Sequence, residues 1–174
     1  MTKGPHWYIA YVRPNMERKV LSTLNSFGVE CYLPVQKELR QYSDRKKQVE
    51  RLVLPRMIFI RCQEHERIPI LQKALFIRSY MSDGGGAYSP AVVPDAQMEA
   101  FRLMVDHGRR VQITDREFVP GEKVRIVSGP LAGLECELVS VSGKRCIAIK
   151  VGSIGQATMD LETENMEPLE SQNI

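Results

Sequence analysis

Residues 121–137, GEKVRIVSGPLAGLECE, constrain the fold of this chain more than any other stretch. Apolar and polar residues alternate on both sides of a Gly-Pro-x-x-Gly sequence at Gly129–Gly133. Glycine reaches positive φ without steric cost and proline presets φ to about −65°, so this sequence predicts a tight turn. The alternation predicts one strand through Val124 and Ile126 and a second that begins at Leu134. We therefore expect a β-hairpin inside a small all-β unit.

The chain divides into two differently patterned halves. From Val119 onward, five short strand-like segments alternate with glycines, which suits a small barrel of the SH3 type. Before it, strand and helix patterns follow the order βαββαβα, which suits an α+β sandwich with helices packed on an antiparallel sheet. Residues 109–118 have no periodicity. The predicted organisation is a first domain at 1–108, a linker at 109–118 and a second domain at 119–174.

The individual elements of the first half are predicted from hydrophobic periodicity, with their ends marked by Gly and Pro. The stretch Gln36–Glu50 is polar and basic and predicts an exposed hairpin tip or loop. Pro55 interrupts the apolar run Leu52–Arg61, which predicts an edge strand or a bulge. The remaining predictions are strands at His6–Arg13, Val29–Val35 and Phe76–Met81 and helices at Met16–Phe27, His65–Leu75 and Asp95–Asp106.

Several classes of protein are disfavoured by composition. No apolar run approaches the roughly 20 residues of a membrane-spanning helix, and the segment MTKGPHWY lacks the apolar core of a signal peptide. The four cysteines are far apart in the sequence, and the three histidines are scattered, without metal-ligand spacing or a catalytic motif. We expect a cytoplasmic protein that is not an enzyme and has no metal, cofactor or membrane partner.

Charge is distributed unevenly along the chain. Residues 1–108 carry 16 Lys and Arg against 11 Asp and Glu, whereas residues 109–174 carry 8 against 10. This asymmetry favours a polyanionic partner for the first half and a protein partner for the second. An ordinary charged surface is the alternative that the charge count leaves open.

Four segments, in their order and spacing, resemble the NusG family, whose members join an NGN domain to a KOW domain. WYIAYVRPNMERKV resembles the family's first strand and helix, and LPRMIFI occupies the place of its Phe-Pro-Gly-Tyr-Val segment. The Gly129–Gly133 turn resembles the KOW motif, and KVGSIGQATMDL resembles the closing KOW strands. Arg56 and Met57 stand where housekeeping members have Gly and Tyr, and Tyr32–Glu50 resembles specialised paralogues of the UpxY and RfaH type.

The resemblance implies that an apolar patch on the NGN sheet docks on the clamp helices of the largest catalytic subunit of RNA polymerase. The matching positions are Tyr8, Pro14, Leu54, Pro55, Met57 and Phe59. Because strand faces alternate, Met57 and Phe59 point one way and Ile58 and Ile60 the other, and one pair must be core. The resemblance favours Met57 and Phe59 for the partner; the alternative is that half of the six positions cover the domain's own helices.

A second implied partner is the non-template DNA strand, which needs positive charge and an aromatic platform. The candidates are Arg13, Arg18, Lys19, Lys37, Arg40, Tyr42 and Arg78. Arg45, Lys46 and Lys47 form a further basic cluster to which the sequence assigns no partner. For each residue, a solvated charged surface is the alternative.

Two further contacts are implied only by the resemblance. The β-subunit gate loop of the polymerase would meet the start of the second helix, at Arg67, Ile68, Pro69 and Ile70. The KOW domain would bind termination factor Rho or the ribosomal protein NusE. Its turn and partner surface would comprise Gly129, Pro130, Leu131, Gly133, Leu134 and Ile154, although the apolar members also suit the barrel core.

The resemblance thus implies a transcription elongation and antitermination factor. It would stabilise the elongating polymerase and suppress pausing or termination on surface-polysaccharide operons. A housekeeping factor that couples polymerase to Rho or the ribosome is one alternative. A ribosome- or RNA-binding KOW protein is another, disfavoured by the acidic second half.

Overall fold

The computed structural model describes residues 4–85, 89–161 and 165–169. Its first half comprises β1 (His6–Val12), α1 (Glu17–Ser26), β2 (Glu30–Tyr32), β3 (Val35–Gln41), β4 (Lys46–Leu52), β5 (Met57–Cys62), α2 (Arg67–Lys73), β6 (Ile77–Tyr80), β7 (Val92–Val93) and α3 (Asp95–His107). Its second half comprises β8 (Gln112–Thr114), β9 (Lys123–Ile126), β10 (Glu135–Val141), β11 (Lys144–Val151), β12 (Gly155–Asp160) and β13 (Met166–Pro168). A 3-10 turn, Glu64–Glu66, precedes α2. The predicted α+β class is confirmed.

The N-terminal sheet is covered by helices on both faces. Its strand order is β2-β5-β1-β6, and β7 pairs with another part of β1. Tyr8 and Ile60 point to the face that packs with Val20 and Leu24 of α1. The alternate residues of β1 and β5 point to the other face, where α3 contributes Phe101 to the core. Strict alternation along the strands therefore supplies two separate apolar layers.

The prediction of an edge strand or a bulge at Leu52–Arg61 is wrong, since β5 lies inside the sheet and pairs in unbroken register with both neighbours. The strand begins only at Met57, and β5 lies between β1 and β2. Pro55 lies in the turn before the strand, so its missing N–H removes no hydrogen bond from the sheet. Arg56 follows with a φ of 65°, in the left-handed region.

Strands β3 and β4 form a two-stranded ribbon of their own, in register from Val35–Leu52 to Gln41–Lys46. Most of the ribbon is exposed. Of the two predicted possibilities for residues 36–50, an exposed hairpin tip or a loop, the structure has a hairpin, although Gln36 at its base is buried. A polar sequence can form this ribbon because most of its residues are exposed and few apolar side chains need to be buried.

The C-terminal sheet has the strand order β13-β9-β10-β11-β12-β8. The turn between β9 and β10 is as predicted, with φ of 84° at Gly129 and 91° at Gly133. Strand β8 lies within the predicted linker and pairs with β12. Three residues are too few to show periodicity in the sequence; β8 is held by backbone pairing with β12 and by Ile113, which packs against the core.

The two halves pack against each other. Val93, Met98 and Met104 share one buried cluster with Val151 and Met159 of the C-terminal sheet. No helix among the described residues is long and apolar enough to cross a membrane.

Candidate functional site

The fold separates the six residues predicted to dock on the polymerase. Phe59 is 0% exposed, and its ring centroid lies 5.7 Å from that of Phe101 and 6.2 Å from that of Tyr32. Tyr8 is buried on the opposite face, and Leu54 is also buried. The expectation that Phe59 is presented to a partner is therefore wrong, since α3 covers that face of β5. Leu54 belongs to the same buried cluster as Phe59, and Tyr8 is core on the other face of the sheet, where it packs with residues of α1 and α2.

Apolar side chains remain at the surface where β1 ends and β5 begins. Tyr11 lies opposite Met57 in the ladder, and both are half-buried. The Val12 N–H donates to the Arg56 carbonyl at 2.7 Å, and the buried Glu17 accepts from the Arg56 N–H at 3.0 Å. These bonds fix the turn beside the exposed prolines. We define the end patch as Tyr11, Pro14, Pro55 and Met57.

Sequence reasoning missed Tyr11 as a member of this patch. The alternation of β1 had placed it on the face of Trp7 and Ile9, but the sequence does not give the register between β1 and β5. That register would have identified Tyr11 from the position of Met57.

The start of α2 is a packing site more than an exposed one. The Arg67 guanidinium lies 5.2 Å from the Tyr8 ring centroid and 5.6 Å from that of Tyr80, whose hydroxyl donates to the Arg67 carbonyl at 3.0 Å. Burial raises the pKa of Tyr8, and the Arg67 charge opposes that rise. Ile70 is buried. Of the predicted gate-loop residues, Ile68 and Pro69 are exposed. Arg67 instead packs on two tyrosine rings of the same domain, and Ile70 is part of the core.

Several predicted DNA-binding residues are engaged with neighbouring side chains. The Arg18 guanidinium pairs with Glu50 at 2.6 Å, and the Lys19 ammonium lies 4.8 Å from the Phe76 ring centroid. Arg13 and Arg78 are exposed. These residues lie around α1 and β6, away from the hairpin tip, so the structure does not bring all the predicted basic residues together.

The hairpin carries two faces of different character. Paired residues share a face, and successive residues alternate. One face contains the pairs Lys37–Glu50 and Leu39–Gln48, so Lys37 lies opposite a carboxylate. The other face contains the pair Arg40–Lys47, and the Tyr42 N–H donates to the Arg45 carbonyl at the next pair. We define the cationic face as Arg40, Tyr42, Arg45 and Lys47.

Two cations face each other directly on the cationic face. Like charges at opposed positions of a ribbon destabilise it. Glu38 pairs with Arg40 at 2.8 Å and with Arg51 at 3.3 Å, so this carboxylate is shared between two guanidinium groups. Lys47 and Arg45 are exposed, and so is Tyr42 at 44%. The tip therefore concentrates positive charge beside an accessible aromatic ring.

In the C-terminal sheet, two of the six predicted contact residues are core. Leu131 and Leu134 are buried because the turn folds back on the strands, with the Leu134 N–H donating to the Leu131 carbonyl at 3.0 Å. Pro130 is exposed and Ile154 is half-buried. The suggested partner surface at Leu131 and Leu134 is therefore not accessible.

Comparisons with known proteins find similarity to one family, by a family model over the first half of the chain and by individual proteins over most of it. Residues 5–102 match the family model for "Transcription termination factor nusG". The transcription termination/antitermination protein NusG of Pasteurella multocida (strain Pm70) is 26% identical over 184 residues, covering 95% of this chain and 96% of the relative. NusG of Pseudomonas aeruginosa is 23% identical, covering 92% and 97%. A solved structure described as "Domain interaction in Thermotoga maritima NusG" is similar in fold, with a TM-score of 0.51 at 16% identity and coverage of 95% and 98%.

Proposed function

Since the chain belongs to the NusG family, we propose that it is a transcription elongation factor that binds RNA polymerase through its N-terminal sheet unit. The family-model match over residues 5–102 confirms the NusG family, and that family consists of transcription factors rather than enzymes. In this proposal the protein acts in the cytoplasm, stabilises the elongating polymerase and suppresses pausing or termination.

The end patch is the proposed docking site for the clamp helices. The support is the accessibility of Pro14 and Pro55 and the partial exposure of Met57 and Tyr11, next to a turn fixed by hydrogen bonds. A flexible thioether, an aromatic ring and two rigid prolines suit an apolar helix tip. Phe59 supports this docking site indirectly, because its contact with Phe101 holds β5 against α3.

A pull-down with an isolated clamp-helix fragment of RNA polymerase tests this docking site. Wild-type protein is expected to bind, and Met57→Asp is expected to weaken binding by ~30-fold or more, the effect of losing one central anchor. Leu39→Asp is the matched control, because Leu39 is 67% exposed but lies on the hairpin.

The docking proposal would fail if wild-type protein did not bind the fragment. It would also fail if Met57→Asp and Leu39→Asp bound equally well. A urea-unfolding curve for each variant separates loss of contact from loss of fold.

The cationic face is the proposed contact for the non-template DNA strand. Its support is the opposed pair Arg40–Lys47, which an anion between the two side chains would stabilise, together with the exposed Tyr42. Phosphates would meet the cations and a base would stack on the ring. Arg13 and Arg78 form a separate exposed basic region that we propose as a secondary contact.

The finer functional assignments rest on the sequence resemblance. We propose that the C-terminal sheet is a KOW domain, with Pro130 and Ile154 available to Rho or NusE, and that Ile68 and Pro69 meet the gate loop. We also propose a specialised role of the UpxY and RfaH type on surface-polysaccharide operons, supported by Arg56–Met57 and by the basic hairpin. Loss of transcript from the distal genes of such an operon, after deletion of this protein, is the measurement that tests this role.

A further inference from the structure

Arg56 adopts a backbone conformation that is unfavourable for its residue type. Its φ of 65° lies in the left-handed region, where the Cβ atom of an L-residue comes close to a carbonyl oxygen. Among the described residues other than glycine, Asn15, Arg110 and Ser142 also have a positive φ. Asparagine tolerates this region because its short polar side chain can form local hydrogen bonds. Arginine lacks such a side chain, so the conformation of Arg56 needs a separate explanation.

The fold fixes Arg56 in this conformation through both of its backbone polar groups. The Arg56 N–H donates to the Glu17 carboxylate at 3.0 Å, and the Arg56 carbonyl accepts from the Val12 N–H at 2.7 Å. Glu17 is 5% exposed and lies in the first turn of α1. Strained residues persist where the surrounding structure holds them in this way, and they are concentrated at functional sites. The backbone of Arg56 therefore indicates a functional turn.

The Arg56 side chain extends from this fixed backbone without a partner in the fold. The residue is exposed, and its guanidinium makes no ion pair, hydrogen bond or ring contact within the part of the chain that the structure describes. The carboxylate closest to it in the hydrogen-bond network, that of Glu17, is buried and accepts from the backbone instead. No side-chain contact within the described residues therefore offsets the backbone strain.

Arg56 lies beside the apolar side chains of the end patch. Pro55 precedes it and is exposed, and Met57 follows it and is half-buried. The hydrogen bond from Val12 brings the next residue, Arg13, to the same end of the sheet, and Arg13 is also exposed. The end patch is thus an apolar surface with positive charge at its margin. The complementary surface on a partner is apolar with a carboxylate beside it.

We propose that Arg56 is the specificity-determining residue of the end patch and pairs with a carboxylate on the protein that the patch binds. Apolar side chains supply contact area that many partners could match, whereas a guanidinium selects a partner with an acidic group at one position. A nucleic-acid phosphate would match the charge but not the apolar neighbours, so a protein carboxylate is the better complement. The inference rests on the proposed docking of the end patch on the clamp helices of RNA polymerase.

Arg56→Gly in the full chain tests this pairing, because glycine adopts the same backbone without steric cost. Arg110→Gly is the matched control, since Arg110 is an exposed arginine with a φ of 50° on the segment between α3 and β8. Isothermal titration calorimetry measures the Kd of each protein for the isolated clamp-helix fragment. We expect Arg56→Gly to raise this Kd by about tenfold or more and Arg110→Gly to leave it unchanged. Urea midpoints no lower than that of wild type are expected for both variants.

A double-mutant cycle identifies the carboxylate on the partner. Each Asp and Glu of the fragment is replaced in turn by Asn or Gln, and each altered fragment is titrated with wild-type protein and with Arg56→Gly. At one position, the replacement is expected to weaken the binding of wild type by about tenfold and to leave the binding of Arg56→Gly unchanged. Arg56→Lys keeps the charge and loses the planar fork, so an intermediate Kd is expected. The Kd of wild type is also expected to rise more steeply with NaCl concentration than that of Arg56→Gly.

The outcomes distinguish this inference from the docking proposal. If wild-type protein does not bind the fragment, docking on the clamp helices is wrong and the pairing is wrong with it. If wild type binds and Arg56→Gly binds as tightly as Arg110→Gly does, docking stands and the role of Arg56 is overturned. The role is also overturned if Arg56→Gly weakens binding of a single-stranded DNA oligonucleotide but not of the fragment, because the guanidinium would then contact nucleic acid.

Discussion

Met57 and Phe59 share one face of β5, yet their environments differ. Phe59 is enclosed by Tyr32 and Phe101, whereas Met57 lies at the end of the strand and is half-buried. A helix of finite length covers part of a strand and leaves its end open. At the scale of single residues, function is therefore expected at Met57 and stability at Phe59.

Phe59→Ala is expected to destabilise the protein by about 3–5 kcal/mol, through lost apolar burial and the cavity left beside Phe101. Leu39→Ala is expected to change the free energy of unfolding by less than about 0.5 kcal/mol, because Leu39 is exposed. Urea unfolding followed by circular dichroism measures both values. A loss at Phe59 no larger than that at Leu39 would contradict the core assignment.

The burial of individual residues could be predicted only in part from the sequence. Alternation correctly divided β5 into two faces, but it gave no information on what covers each face. Leu131 and Leu134 illustrate the same difficulty, since one lies in a correctly predicted turn, the other directly follows it, and both are buried. Burial at these positions depends on elements that are distant in the sequence.

At the scale of elements, the β3–β4 hairpin is hydrogen-bonded to the rest of the fold at its base and carries two opposed cations near its tip. Gln36 and Arg51 anchor the base through buried hydrogen bonds, while Arg40 and Lys47 oppose each other further out. A ribbon that keeps an unfavourable charge pair at its exposed end is suited to an anionic partner. Stability and nucleic-acid binding are expected to respond oppositely when this pair is changed.

Lys47→Glu is expected to stabilise the protein by about 0.2–1 kcal/mol, because it converts a like-charge pair into an opposite-charge pair. The same variant is expected to weaken binding of a single-stranded DNA oligonucleotide and to reduce the salt dependence of that binding. Thermal unfolding and fluorescence anisotropy measure the two effects.

Lys46→Glu provides the control for this experiment. It changes the net charge equally, but Lys46 lies opposite Gln41 on the other face. Equal weakening of DNA binding by both variants would show that only net charge matters, and would remove the assignment to the cationic face.

At the scale of the whole molecule, buried thiols and phenols link stability to pH. Burial raises the pKa of Cys31 to about 11 and that of Cys62 to about 11. Burial also raises the pKa of Tyr32, Tyr80 and, in the C-terminal sheet, Cys146. In each case the folded state favours the neutral form more strongly than the unfolded chain does.

Stability is therefore expected to fall as pH rises from about 9 to about 11. The unfolded chain loses these protons first, so it binds fewer protons than the folded state in this range, and the free energy of unfolding decreases. Urea midpoints between pH 8 and 11 measure the effect. Cys62→Ala should flatten the decline relative to wild type, and identical slopes would contradict the contribution of Cys62.

The resemblance of the sequence indicated the family, and its pattern determined the α+β class, the Gly129–Gly133 turn and an exposed hairpin tip or loop at residues 36–50. These features depend on local periodicity, turn chemistry and residue order, all of which act between near neighbours in the chain. Tertiary structure alone decided that β5 is internal, that Phe59 is core, that Tyr11 joins Met57 in the end patch and that Gln36 is buried against the end of α3. These features depend on strand register and on which helix covers which face, and the free energy that selects them comes from contacts between segments far apart in sequence.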